Sequence, residues 1–225
     1  MGSEAAHSWD QEYAQGVRYQ GDPPVRFVED IVLAAKESGT TRGLYVGCGN
    51  GRNYAPLVEA GLDLIGLDIS RVAIDQLAER LPARRDRLVV GDLSALPAGQ
   101  TWPLVVAIQV LQHGTREEVH TFLAGMLARI APGGLLAVRV NATGTDVEHA
   151  ANVAERFPDG SFTVLYESGP KEGLHVHFWA ARELNDAVTG AGFTPVLELR
   201  PDTTWRHPMR RGQYLQWEGT WRRTG

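Results

Sequence analysis

Three glycines alternate through the turn Gly47-Cys48-Gly49-Asn50-Gly51, which follows the apolar run Leu44-Tyr45-Val46 and opens a helix. Backbone without side chains at a helix start lets a ligand lie against main-chain amides. Asp68 closes the next apolar run, 21 residues after Gly47, where a carboxylate can accept both hydroxyls of a ribose. Asp92 follows a third run, Arg87-Leu88-Val89-Val90. Strand, glycine turn, helix, strand and terminal acid together point to a nucleoside-containing cofactor. In the dinucleotide fingerprint a third small residue lets the helix pack closely on the strand, and here that place holds Arg52, which argues against NAD and FAD. Each residue also has a plainer reading. Asp68 and Asp92 suit strand-to-helix turns as capping acids, and Cys48 suits the turn as a small filler.

Histidines are the other chemical signal. His113 follows the fourth apolar run, where an imidazole near neutral pH can act as a general base on a hydroxyl, amine or thiol. It can equally anchor the loop to the Thr115 cap. His120 sits off the apolar stripe of its helix and is expected in solvent. His175 and His177 alternate on a strand, with no third ligand at a recognisable spacing, so no metal is expected.

The elements that must position these groups alternate between β-type runs and amphipathic helices, the pattern of a parallel sheet covered by helices. Asp22-Pro23-Pro24 predicts an N-cap and a proline at the first helical position, with Gly39 ending the helix. Strands are expected at 44–46, 62–67, 87–90, 104–108, 135–140, 193–199 and 213–221, the last half-buried. Helices are expected over about 52–60, from the Ser70 cap to Leu81, from Thr115 to the Pro132-Gly133-Gly134 stop, and near 180–191. Thr115-Arg116-Glu117-Glu118 has capping-box spacing. About 38 residues, 141–178, exceed what the core needs, and a helix over about 145–156 with β pieces at 162–166 and 174–178 is expected there. Long excursions of this kind are usually functional and lie over the carboxyl ends of the strands.

Composition sets the limits. In 225 residues, 43% are hydrophobic and 22% charged, which fits one soluble domain over 1–225. No apolar run exceeds five residues, against the roughly 20 of a membrane helix, and no apolar leader is visible. The single cysteine leaves no internal disulfide, so a cytoplasmic setting is expected. The net charge of −5 argues against a dedicated nucleic-acid binder. Arg200, Arg206, Arg210, Arg211, Arg222 and Arg223 gather at the C-terminal end, where charge can guard a sheet edge or form a binding strip.

The sequence resembles the class I S-adenosylmethionine-dependent methyltransferases, in order along about residues 40–140. Leu44 to Arg52 looks like the first motif, Gly66-Leu67-Asp68-Ile69-Ser70 like the ribose-binding strand end, and Gly91-Asp92-Leu93 like the adenine-binding end. Val110-Leu111-Gln112-His113 and Ala131-Pro132-Gly133-Gly134 match the end of the fourth strand and the turn before the fifth. The resemblance implies a three-layer α/β/α sandwich around a mostly parallel seven-stranded sheet with an antiparallel C-terminal strand. It implies S-adenosylmethionine held by Gly47, Cys48, Gly49, Asn50, Gly51, Asn53, Asp68, Ile69, Asp92, Leu93 and Gln109. An N-terminal strap, 1–22, would fold over the cofactor, with Arg18 meeting the methionyl carboxylate. The family usually has an acid where this chain has Tyr45, and often one near Trp102-Pro103-Leu104. The expected partner is a small-molecule acceptor walled by Asn141, Tyr166, His175 and His177, with His113 as the base, in a monomer or homodimer. The alternatives are a methyltransferase acting on tRNA or protein, and a cofactor-binding module without turnover.

Overall fold

In a computed structural model, the protein is described over residues 3–15, 22–205 and 212–225. A helix α1 (Ser3–Ala14) precedes alternating helices and strands: α2 (Phe27–Glu37), β1 (Arg42–Val46), α3 (Tyr54–Glu59), β2 (Asp63–Asp68), α4 (Arg71–Arg80), β3 (Leu88–Val90), β4 (Trp102–Ile108), α5 (Arg116–Leu127) and β5 (Ile130–Asn141). Three short strands follow, β6 (Ala151–Arg156), β7 (Phe162–Tyr166) and β8 (His175–Phe178), then α6 (Ala181–Thr189), β9 (Phe193–Trp205) and β10 (Gln213–Arg223).

The main sheet has seven strands in the order β3-β2-β1-β4-β5-β10-β9. Neighbours from β3 to β5 are parallel, and β10 is antiparallel to both β5 and β9. Both faces of the central strands are apolar. Along β1, Leu44 and Val46 join the cluster under α5 and α6, while Tyr45 joins the one under α2, α3 and α4. The same alternation runs along β4, with Val105 and Ala107 on one side and Leu104, Val106 and Ile108 on the other. A sheet apolar on both faces must be covered twice, which gives three layers. Full burial of side chains such as Leu44 and Leu104 contributes roughly 1.5–3 kcal/mol each.

The strand order reverses between β1 and β4, so the chain leaves their carboxyl ends in opposite directions and opens a crevice there. Local signals hold the flanking helices. Ser70 caps α4 through the Ala73 amide, and Thr115 and Glu118 form the expected capping box on α5.

Four expectations are corrected. The helix expected at 145–156 is absent. Residues 151–156 are β6, paired antiparallel with β7 through the Pro158-Asp159-Gly160 turn, and β8 completes a separate three-stranded sheet. Pairing with a neighbouring hairpin strand outweighed local helical propensity. Asp22-Pro23-Pro24 does not start α2, which begins at Phe27. The Pro23 carbonyl instead accepts from Arg52 Nε at 2.8 Å, and the Val25 amide donates to Asn53 Oδ1 at 3.0 Å. A residue before proline is biased out of the α region, and these side chains tie the stretch to the glycine turn. The strands β5 and β9 are longer than expected, because Ile130 pairs with Trp102 before the Pro132 turn and Gln213 pairs with Trp205. His120 is only partly in solvent: its side chain is 34% exposed, but its ring packs on Trp179, 4.8 Å between centroids, and bonds Glu183.

Candidate active site

The turn after β1 is held from β2. The Leu67 carbonyl accepts from the amides of Gly47 (2.7 Å) and Cys48 (3.1 Å), and Asp68 Oδ2 accepts from the Gly49 amide at 2.7 Å. Asp68 Oδ1 accepts from the Ser70 amide at 2.9 Å. Gly47 and Gly49 have φ of 70° and 53°, a left-handed conformation that costs other residues energy. Space forbids side chains as well: a Cβ on Gly47 would lie 2.8 Å from Val110, and one on Gly49 2.5 Å from the Tyr13 hydroxyl. Burial raises the Asp68 carboxyl above the usual range, partly offset by the Ser70 and Gly49 amides. Burial also raises the Cys48 thiol, which keeps it protonated and un-nucleophilic. Tyr45, where the resembled family usually has an acid, is buried with its phenol pushed well up by desolvation and hydrogen-bonded to Asn53.

Helix α1 lies across this turn. Asp10 Oδ1 accepts from Ser70 Oγ (2.6 Å) and the Val72 amide (3.1 Å) at the start of α4, and Gln76 Nε2 donates to the Tyr13 carbonyl at 2.9 Å. Trp9 and Tyr13 thereby wall a cavity with Gly47, Asp68, Asp92 and Gln109. Cys48, Gly49, Asn50, Asn53 and Ile69 line it too, whereas Leu93 lines a neighbouring cavity and Gly51 lines neither. Arg18 lies outside the described residues. Asp92 Oδ1 accepts from the amide and hydroxyl of Ser94, at 2.9 and 2.6 Å, and these bonds hold its carboxyl below the usual range.

Beyond β4 the backbone turns sharply. Gln109 has φ 58°, the one positive value at a non-glycine among the described residues, and its amide donates to the Arg139 carbonyl at 2.7 Å. Its own carbonyl accepts from His113 Nε2 at 3.2 Å. That bond places the ring proton on Nε2 and leaves Nδ1 with its lone pair bare. Nδ1 is buried without a hydrogen-bond partner. Burial, followed by the charge of Lys171, pushes the His113 pKa down to about 3. The Trp9 ring meets His113 edge-on at 4.9 Å.

A second cavity, of about 610 Å³, adjoins the first. Trp9, Asp92, His113 and Phe122 line both. Of the four residues expected to wall an acceptor pocket, His175 lines this second cavity. Asn141, Tyr166 and His177 line neither of the two. Asn141 Oδ1 accepts from Gln216 Nε2 at 2.8 Å, and its amide donates to Gln112 Oε1 at 2.9 Å. Tyr166 packs with Val164, Val176 and Phe178 in the core of the small sheet. His177 is fully buried and donates from Nε2 to Glu183 at 3.1 Å.

Sequence reasoning missed the group around Glu183. This buried carboxylate accepts from Arg116 Nε (2.6 Å) and His120 Nε2 (2.8 Å) as well as His177, so it joins α5, β8 and α6. Burial alone would raise its carboxyl, but the three donors outweigh that and hold it far below the usual range. Phe122 was also missed, since it belongs to the α5 stripe and only its position near the strand ends turns it to a cavity wall. The amphipathic repeat identifies a core face but not where that face runs out.

Residues 44–136 match the model of a methyltransferase domain. That match spans less than half of the chain, and over it the sequence is similar to methyltransferases. The ubiquinone biosynthesis O-methyltransferase of Rhodopseudomonas palustris is 31% identical over 101 residues, 43% of this chain but only 38% of that protein. Similar solved structures include the CcbJ methyltransferase from Streptomyces caelestis, 20% identical with a TM-score of 0.65 over 97% of this chain and 98% of that one. The 1,6-didemethyltoxoflavin-N1-methyltransferase of Burkholderia thailandensis, solved with its substrate and S-adenosylhomocysteine, is 18% identical with a TM-score of 0.66 over 99% and 90%. The fold of this chain is the one they share. The donor of the family fits what stands here, a side-chain-free turn that a Cβ on Gly47 or Gly49 would fill and a buried carboxylate at the end of β2.

Proposed function

We propose that the protein is a single methyltransferase domain over 1–225 that methylates a small-molecule acceptor held in the second cavity. The shared wall of Trp9, Asp92, His113 and Phe122 carries this reading, because a ligand on one side of it meets a ligand on the other. Asp68 would hold the ribose, Asp92 and Leu93 the adenine, and the Gly47–Gly51 turn the methionyl end of the cofactor. When bound, S-adenosylmethionine supplies an electrophilic methyl carbon, to which the acceptor's lone pair forms a bond as the carbon–sulfur bond breaks and leaves its electron pair on sulfur. The protein's part is to hold the acceptor in line and exclude water, and positioning alone supplies up to roughly 7–11 kcal/mol.

His113 orients the acceptor through its bare Nδ1 and is a weak base, because burial disfavours the charged ring it would become on taking a proton. A cavity of about 610 Å³ suits a small ligand, within the roughly 300–1,000 Å³ of such sites, better than a polymer. No helix among the described residues is long and apolar enough to cross a membrane.

The test is calorimetry with S-adenosylhomocysteine, followed by an acceptor screen with isotope-labelled donor read by mass spectrometry. Saturable binding that is lost in Asp68→Ala supports the reading. Absence of binding at millimolar ligand, or tighter binding of NAD, overturns it.

A further inference from the structure

We infer that Glu183 is a positioning residue of the site: lining neither of the two cavities, it holds His113 at their shared wall. This inference rests on the proposed methyl transfer, in which His113 orients the acceptor.

Backbone bonds fix the His113 loop to β8. The His177 amide donates to the Gln112 carbonyl at 2.8 Å, and the Gly114 amide donates to the His175 carbonyl at 2.9 Å, which sets His113 opposite Val176. Where β8 goes, His113 goes. Yet β8 has four residues, and the buried apolar core of its three-stranded sheet is Val164, Tyr166, Val176 and Phe178. A sheet that small is marginal without further ties.

Glu183 supplies such ties on both sides of His113. His177, whose amide holds Gln112, donates from Nε2 to Glu183 Oε2 at 3.1 Å, and its Nδ1 lies 3.0 Å from Thr163 Oγ1. Arg116, three residues after His113, donates from Nε to Glu183 Oε1 at 2.6 Å. The same guanidinium reaches Asp159 Oδ2 at 2.8 Å and lies over the Phe157 ring, 4.3 Å from its centroid. His120 adds a third donor at 2.8 Å, and only a carboxylate offers enough lone pairs for all three. Burying a charged group is a poor way to gain stability, since apolar residues of similar size serve as well. Its best-attested use is to fix register. The Glu183 side chain is 1% exposed and lines neither cavity, so it acts on the site through His113.

Trp9 provides a reference point. Its ring meets His113 edge-on at 4.9 Å, and Asp10 fastens α1 to the start of α4, outside the Glu183 group. The ring current of the indole therefore reports where His113 stands.

The test is NMR of the His113 ring protons, assigned by their loss in His113→Gln, with calorimetry of S-adenosylhomocysteine on the same samples. Glu183→Ala is expected to move or split the His113 resonance while the affinity for S-adenosylhomocysteine stays within about twofold. Glu183→Gln keeps the shape and one acceptor oxygen, and a smaller displacement in the same direction is expected. It is the variant read if Glu183→Ala does not fold. Ile31→Ala truncates the core on the opposite face of the sheet, and is expected to lose stability and leave the resonance in place. An unmoved resonance in Glu183→Ala, or in Glu183→Gln where the alanine variant does not fold, overturns the inference. So does an equal displacement in Ile31→Ala, or a parallel loss of S-adenosylhomocysteine binding, since either marks Glu183 as a residue of general stability. The His113 resonance is read without ligand, so failure of the wild type to bind S-adenosylhomocysteine marks the methyltransferase reading alone as wrong.

Discussion

The ring Nε2 of His113 lies 3.2 Å from the carbonyl oxygen of Gln109, the one described non-glycine residue with positive φ. The strained peptide at the end of β4 thus fixes the tautomer of the histidine four residues on. Left-handed backbone costs an ordinary residue roughly 1–2 kcal/mol, more where the side chain is β-branched. Gln109→Gly should therefore keep wild-type stability to within about 0.5 kcal/mol, since relief of strain offsets glycine's added chain entropy. Gln109→Val should lose about 2 kcal/mol in urea unfolding. Equal stability of the two variants would show that this backbone carries no strain.

His113 should not titrate in the physiological range. Burial, then the charge of Lys171, depresses its pKa to about 3. Its ring proton resonances, followed by NMR, should stay at neutral-form shifts from pH 9 down to about 4. An inflection near 6.5 would return the residue to ordinary general-base duty.

Asp68 makes the test of the cofactor cleft. Asp68→Asn removes a charged acceptor and should weaken S-adenosylhomocysteine by about 1.5–3 kcal/mol in calorimetry. The fold should persist in circular dichroism, because the residue ends its strand.

Glu183 carries an acid-stability prediction. Its folded pKa lies below the ordinary value of 4.5, so its contribution is complete above that value and is lost as pH falls below it. Glu183→Ala leaves Arg116, His120 and His177 without their shared carboxylate and should cost about 3–5 kcal/mol at pH 7. Thermal unfolding from pH 7 to 3 should show wild type losing ground below pH 4.5 and the variant losing less.

Asp10 fastens α1 over the glycine turn by two bonds to the start of α4. Asp10→Ala should cost about 1 kcal/mol there, as loss of a cap does, and quicken proteolysis of α1. S-adenosylhomocysteine affinity should fall with it, because Trp9 and Tyr13 form part of the cavity wall.

The glycine turn, Asp68 and the capping box were legible because each depends on neighbours in sequence. Gly47 and Gly49 have the left-handed φ that their type announces, and Thr115 finds Glu118 three residues on. The mostly parallel seven-stranded sheet with its antiparallel last strand was legible at the level of the family, and the irregular start of β5 was not. The second histidine of the His175-His177 pair was misread because its partner, Glu183, comes from α6, and no spacing reveals a carboxylate that reaches back across an element. The 145–156 segment was misread for a related reason. Its alternation is weak, and only the turn at Pro158-Asp159-Gly160 betrays that it pairs with the next strand, β7. The C-terminal arginines were read as an edge guard or a strip. Of the described ones, Arg200 bonds Asp30 and Glu218, Arg222 bonds Ser38 and the Gly133 carbonyl, and Arg223 bonds the Ile130 carbonyl. Arg206, Arg210 and Arg211 lie outside the described residues.

The strand β10 sits between β5 and β9 although it comes after both in the chain. During synthesis, β5 therefore waits with one side unpaired while more than seventy residues are added, and β9 waits for the same partner. Such open edges invite pairing with other chains. The nascent protein is thus most exposed to aggregation just before residues 213–223 emerge, and a ribosome stalled in that window would release a chain whose cofactor turn is complete but whose sheet is not closed.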